Sequence, residues 1–140
     1  MAVELKTYDP GQVVVDLLGS LIDGFANGTF ITITTPDLFT SEAGVDAVAR
    51  LRSRDRRCEI EITLLQTSPS NLVMQGIVTL DKGGNGVGPL IIKDASGNSL
   101  FTALTAWIKK EPDVTFSSDA IESYTWTLEC DNYELITGGN

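Results

Sequence analysis

Cys58-Glu59-Ile60-Glu61-Ile62-Thr63-Leu64-Leu65-Gln66-Thr67-Ser68-Pro69-Ser70-Asn71 decides the fold, because within it one periodicity ends and another begins. Cys58, Ile60, Ile62 and Leu64 share one side of an extended chain while Glu59, Glu61 and Thr63 share the other, the alternation of a half-buried β-strand. Ser68 then stands at a helix N-cap. Pro69 fits the first helical position, where its missing N–H has no intrahelical partner, and Asn71 adds a local side-chain bond. Val73, Ile77 and Leu80 recur at i, i+4 and i+7 with Met74 beside them, and Lys82-Gly83-Gly84 closes the segment with a cation followed by glycine. The expectation is a strand, a sharp turn launched by Ser68, Pro69 and Asn71, and one amphipathic helix of about three turns.

Outward from this block, strands and turns follow one another. Val13, Val15 and Leu17 alternate with Val14, Asp16 and Leu18, and Gly19-Ser20 turns the chain toward Leu21-Ile22 as a first hairpin. Asn27-Gly28 is turn chemistry that favours positive φ, and Phe30 to Thr34 follows as a β-branched strand stopped by Pro36, giving strand, tight turn, strand. Further strands are expected at Pro89 to Lys93, at Ser99 to Ile108 after the turn Asp94-Ala95-Ser96-Gly97-Asn98, and at Tyr124 to Cys130. In the last of these Tyr124, Trp126, Leu128 and Cys130 face the core, with Trp126 as its anchor. The chain reads as mainly β, a small β-sandwich or barrel with one flanking α-helix, a single domain over residues 1–140.

Composition removes whole classes of chemistry. With no histidine among 140 residues there is no imidazole base for a Ser or Cys nucleophile and no His ligand for zinc. Cys58 and Cys130, each on the apolar parity of its strand, read as small buried hydrophobes rather than as a metal or redox pair. No cofactor, metal or catalytic residue is expected. Gly84-Asn85-Gly86-Val87-Gly88 leads into a strand and lacks the Lys-Ser/Thr of a phosphate loop. Neither Asp113 with Asp119 nor Asp81 with Asn85 has the spacing of a calcium loop. Asn27-Gly28-Thr29 has the form of a glycosylation site, but Met1-Ala2-Val3-Glu4-Leu5-Lys6 is not a secretory start, and no apolar run has the roughly 20 residues of a membrane-spanning helix. A net charge of −9 speaks against a nucleic-acid grip.

Two segments stand outside the compact domain. Pro36 to Arg57 has no firm periodicity, and a stretch of that length in a small domain is functional or disordered. It interleaves Phe39, Val45, Val48 and Leu51 with Asp37, Glu42 and Asp46. It ends in Arg50, Arg52, Arg54, Arg56 and Arg57, half of the ten basic residues in the chain. Arginine pairs with carboxylates in a bidentate fork, so such a loop on an acidic protein suggests contact between copies; the bland alternative is a solvated loop with its own internal pairs. The other segment is a polar arm from Asp131 to Asn140, loose until a partner orders it or simply frayed.

At this point the residues carry a resemblance. Tyr8-Asp9-Pro10, Ile22-Asp23-Gly24-Phe25-Ala26-Asn27-Gly28-Thr29, Gly44-Val45-Asp46, Gln66-Thr67-Ser68-Pro69-Ser70-Asn71, Trp107-Ile108-Lys109-Lys110-Glu111-Pro112 and Gly138-Gly139-Asn140 resemble, in order, the tail tube proteins of contractile-tailed bacteriophages. Leu72 and Ala47 depart from that pattern, in which a polar or acidic residue and a glycine stand. The resemblance implies hexameric rings with a continuous β-lined channel, stacked into the inner tube of a virion tail that is assembled in the host cytoplasm. Implied partners are the chain itself, tail sheath, baseplate and tail terminator proteins, and a tape measure protein in the lumen. DNA would pass without specific binding, and no membrane insertion is implied. The stretch 36–57 takes the place of the inter-ring loop, so Phe39, Val45, Val48 and the five arginines are the candidate contacts. Alternatives are the tube of a related contractile injection machine, a carbohydrate-binding module using Trp107 and Tyr133, and a hydrolase with two converging carboxylates.

Overall fold

The computed structural model describes residues 7–138; the Met1–Lys6 start and the end of the Gly138-Gly139-Asn140 string lie outside it. A 3-10 turn at Pro10–Gln12 opens the domain. There follow β1 (Val13–Leu17), β2 (Ser20–Ile22), β3 (Ile31–Thr34), β4 (Phe39–Ala43), β5 (Val48–Arg52) and β6 (Arg57–Leu65). The helix α1 (Ser70–Asp81) comes next, then β7 (Gly88–Asp94), β8 (Leu100–Lys110) and β9 (Ser123–Ile136). Seven strands form one antiparallel sheet in the order β2-β1-β7-β8-β9-β6-β3, and β4 and β5 form a separate two-stranded sheet.

The β6–β9 ladder is unbroken from Arg57↔Asp131 to Leu65↔Ser123. Its inner pairs are Cys58↔Cys130, Ile60↔Leu128, Ile62↔Trp126 and Leu64↔Tyr124, all buried except the half-buried Tyr124, as the alternation requires. Val15 and Leu17 of β1, Leu90 and Ile92 of β7, and Phe101, Ala103, Ala106 and Ile108 of β8 complete the core from the other side. The inward parity of β8 changes between Ala103 and Ala106. That of β9 changes between Cys130 and Tyr133, where Asn132 takes φ 52°. Both strands therefore kink together, and the sheet bends over itself without losing pairing.

This kink corrects the reading of the C-terminus. Asp131 to Ile136 is no loose arm but the second half of β9, paired with β8 as far as Leu100↔Ile136, and Tyr133 stacks on Phe101 with centroids 5.8 Å apart. A period-2 scan stops at Cys130 because the parity breaks there.

A second correction concerns Asn27-Gly28. The turn exists, with Gly28 at φ 89°, but it does not pair β2 with β3, which are the two outermost strands of the sheet. Ala26 N donates to Thr63 O (3.0 Å), and Thr63 N donates to Phe30 O (2.8 Å). Residues 24–26 and 30–34 thus follow the same edge of β6 in one direction, with the turn as an excursion between them. Since Ile22 ends β2 and Gly24 already bonds Leu65 N (2.9 Å), the two ends of the sheet meet there, and the sheet is rolled into a barrel-like sandwich.

The hexapeptide is the joint that holds this meeting point. Ser68 Oγ accepts from Ser70 N (3.2 Å), the bond expected of an N-cap, and donates to Asp23 O (2.7 Å). Pro69 has helical dihedrals just ahead of α1. Ser70 Oγ donates to Asp23 Oδ1 (3.1 Å) and accepts from Asp23 N (3.0 Å). Gly24 (φ 74°) lies so close that a Cβ would sit 2.4 Å from Ser68 Oγ. Asn71 Nδ2 donates to the carbonyls of Leu65 and Ser68, while its Oδ1 accepts from Trp126 Nε1 (3.0 Å). The two most specific strings of the resemblance are in direct contact, and their role is structural.

Helix α1 packs on β2 and β8 through Met74 and Ile77, with Val73 and Val78 at the margin. Leu80 is 56% exposed and leaves the expected stripe, because the last turn of the helix runs beyond the sheet toward Gly84 (φ 84°).

Replacing Asn71 by Ala leaves a buried indole N–H and the turn carbonyls without partners. A loss of about 2–3 kcal/mol in urea unfolding is expected, whereas Leu72→Ala on the exposed face should change stability by no more than about 0.5 kcal/mol. Equal losses for the two would show that Asn71 is not the joint.

Candidate assembly surfaces

Residues 36–57 are a β-hairpin rather than a structureless loop. Phe39↔Arg52, Thr40↔Leu51, Ser41↔Arg50, Glu42↔Ala49 and Ala43↔Val48 are paired, and every residue of β4 and β5 is exposed. The hairpin was illegible as strand because neither of its faces is buried, so no apolar alternation marks it. Gly44 N donates to Ala47 O (2.7 Å) at the tip, which carries the exposed Val45, and Ser53 N donates to Leu38 O (2.9 Å) at the base.

The structure brings most of the expected contact residues onto this one element. Phe39, Arg50 and Arg52 lie on the same face with Val48, and the Arg50 and Arg52 guanidinium carbons stand 4.0 and 5.7 Å from the Phe39 ring centroid. Arg54 and Arg56 follow at the base, where Arg56 lies over Tyr133 (5.1 Å). Arg57 belongs elsewhere: it opens β6 and pairs with Asp55 in a bidentate fork, Nε to Oδ1 and Nη2 to Oδ2 at 3.0 Å each. Among the described residues it is the one arginine of the five within ion-pair distance of a carboxylate. Its bonds to Asp55 hold that carboxyl down to about 2 and raise its own pKa.

The outer face of the sheet beside the hairpin is a ladder of small polar and acidic side chains. Thr34 opposes Glu59, Thr32 opposes Glu61, and Thr63 Oγ1 meets Thr125 Oγ1 at 3.1 Å. Glu59 opposes Glu129, with Lys109 Nζ 3.5 Å from each. Here Asp55, Glu59 and Glu129 line a depression of about 260 Å³, open to solvent, with Arg57 and Lys109 among them. The pairing is the cross-strand charge compensation that neighbouring glutamates need.

The carbohydrate platform is not assembled. Trp107 lies on the outer face opposite Glu129, while Tyr133 faces inward against Phe101. Cys58 and Cys130 are buried as expected and directly opposite one another; burial pushes both thiols up, Cys58 to about 12.

Sequence reasoning missed a third surface, residues 111–122, which connect β8 to β9 without regular structure. Val114, Phe116 (80%) and Ile121 stand exposed on it, among Glu111, Asp113, Asp119 and Glu122. It is tied to the hexapeptide by Gln66 N to Glu122 O (2.9 Å) and Glu122 N to Gln66 Oε1 (3.2 Å), and Gln75 Nε2 of α1 reaches Glu111 Oε1 (3.5 Å). The available signal was three large apolar residues inside an acidic, strandless stretch.

No family model matches the chain. It is 27% identical over 151 residues to "Structural protein ORF10" of Pseudomonas phage KPP10, spanning all of this chain and 87% of that protein. Among solved structures it resembles a chain of the anti-feeding prophage cap, the tube terminating cap (TM-score 0.65, 14% identity, 98% of this chain and 95% of the other). It also resembles one from the virion of a native gene transfer agent particle (0.64, 12%, 94% and 100%). A third is from the sheath/tube terminator of an extracellular contractile injection system in its extended state (0.64, 14%, 97% and 100%). At these identities the structural likeness carries the fold; the sequence likeness is to a phage structural protein.

The Asp55–Arg57 pair makes a local titration prediction. Because the folded-state pKa is the lowered one, the pair is complete above the ordinary value of 3.8 and is lost only as pH falls through about 2. The Asp55 carboxyl should titrate by NMR near 2 and return toward 3.8 in Arg57→Gln. A wild-type midpoint near 3.8 would mean that the fork does not persist in solution.

Proposed function

We propose that this chain is a non-enzymatic, ring-forming structural component of a phage tail, and that six copies form a ring that stacks into the inner tail tube through which DNA passes. The observation that carries the proposal is the β4–β5 hairpin. A two-stranded hairpin with no buried face is marginal on its own, and this one displays Phe39, Val45, Val48 and Leu51 beside arginines without carboxylate partners. Its natural complement is acidic protein surface, and a chain of net charge −9 supplies that on every other copy. Full-length likeness to a phage structural protein supports the same reading.

Ring closure also gives the outermost strands β2 and β3 neighbours, removing the hazard of open sheet edges. Six copies carry about −54 in total, and an inner wall bearing part of that charge repels the phosphate backbone, as a conduit requires. The sheath, baseplate, terminator and tape measure proteins are the further partners such a tube requires. The corresponding tube of a contractile injection machine obeys the same physics.

A second reading is favoured by two of the structural neighbours, which come from a tube terminating cap and a tube terminator. In that role the chain forms a single ring that ends a tube instead of extending it. Negative-stain microscopy and sizing of the concentrated protein separate the readings: a tube protein gives multilayered particles, a terminator single rings, and a strict monomer in the presence of tail components defeats both. Arg50→Glu, Arg52→Glu and Arg54→Glu together should suppress layering while circular dichroism stays native, and an unchanged length distribution would remove the hairpin from the contact. Assembled particles should not retain duplex DNA even at low salt; strong retention would contradict the role given to the charge.

A further inference from the structure

We propose that residues 111–122 are the receptor for the β4–β5 hairpin of a second copy of this chain, so that copies join head to tail along the direction of β6. The inference rests on the assembly reading and adds the surface that answers the hairpin.

The topology sets the two surfaces apart. The hairpin precedes Arg57, where β6 begins opposite Asp131, and residues 111–122 precede Ser123, which lies opposite the last residue of β6, Leu65. The nine residues of β6 separate these ends by about 27 Å. Every residue of β4 and β5 is exposed, as are Val114, Phe116 and Ile121 of the strap, so the hairpin is not seated on its own strap and the strap of each copy is open to the hairpin of another.

The chemistry matches in two respects. The strap has Glu111, Asp113, Asp119 and Glu122 and no basic residue, whereas the hairpin and its base present Arg50, Arg52, Arg54 and Arg56. Asp113 has Lys110 Nζ at 3.8 Å, an exposed pair that an incoming guanidinium can replace at little cost. The apolar content also matches: Val114, Phe116 and Ile121, with Leu72 (79% exposed) on the first turn of α1, face solvent as do Leu38, Phe39, Val45, Val48 and Leu51 of the hairpin. Acid with apolar on one side and arginine with apolar on the other is the composition of a docking pair with a desolvated centre and a charged rim.

Because the two surfaces differ, the contact is heterologous and leaves one of each unsatisfied at the ends of every stack. A chain that carries both can extend a tube indefinitely. A terminator needs only one, so this pairing bears directly on the choice between the two roles.

The test is a charge exchange read by particle length in negative stain, with circular dichroism as the folding control. Arg50→Glu with Arg52→Glu should abolish layering, and so should Asp113→Lys with Asp119→Lys; the four substitutions in one chain should restore it. Layering of the Asp113→Lys/Asp119→Lys protein at the wild-type level would overturn the receptor assignment while leaving the assembly reading intact. Loss in both pairs without recovery in the fourfold variant would overturn direct pairing of the two segments. Absence of any wild-type assembly would instead defeat the underlying reading. Hydrogen exchange on the wild type gives an independent measure: residues 38–54 and 111–122 should gain protection together on assembly, and protection of the hairpin alone would point to another partner and sink the proposal.

Discussion

The β6–β9 ladder is the constraint on which the rest of this molecule depends. Its inner rows supply Cys58, Ile60, Ile62, Leu64, Trp126, Leu128 and Cys130 to the core, and the middle of its outer rows is threonine and glutamate. One pairing of strands therefore sets which side of the chain is dry. It also fixes distance. The exposed hairpin springs from one end of the ladder and the acidic strap from the other, so the length of a nine-residue strand separates the two exposed surfaces.

The joint at the strap end keeps that geometry rigid. Asn71 holds the turn carbonyls with its amide nitrogen and Trp126 with its oxygen, and Ser68 and Ser70 hold Asp23 across the seam where the rolled sheet meets itself. The bonds to Trp126 and across to Asp23 are half-buried, of a kind that costs more to leave unmade than it gains when made. The chemistry of this joint serves shape: it fixes the start of α1 against Asp23 and Gly24. The glycine at position 24 belongs to this logic, since any side chain there would strike Ser68.

The contrast between joint and hairpin divides the chain into a part packed on itself and a part exposed on both faces. The core strands alternate because one face is dry. The hairpin has neither face dry, and Arg50 and Arg52 rest on Phe39, and Arg56 on Tyr133, rather than on carboxylates of their own chain. Exposed cation–π contacts of this kind contribute on the order of 0.5–1 kcal/mol each, enough to arrange the guanidinium groups without satisfying them.

Sequence alone determined what depends on local periodicity and composition: the strand at Cys58–Leu65, the helix launched by Ser68 and Pro69, the inward row around Trp126, and the lack of an imidazole for catalysis. It also located the arginine-rich candidate surface, because that signal is compositional. Only the tertiary structure decided that the Asn27-Gly28 turn interrupts one edge strand instead of joining two neighbours, since pairing partners distant in sequence leave no local mark. It alone carried β9 past the parity break at Asn132, where a positive φ turns the side-chain alternation over. And it alone revealed residues 111–122 as a surface, because their apolar side chains are exposed only by virtue of where the β6–β9 ladder ends.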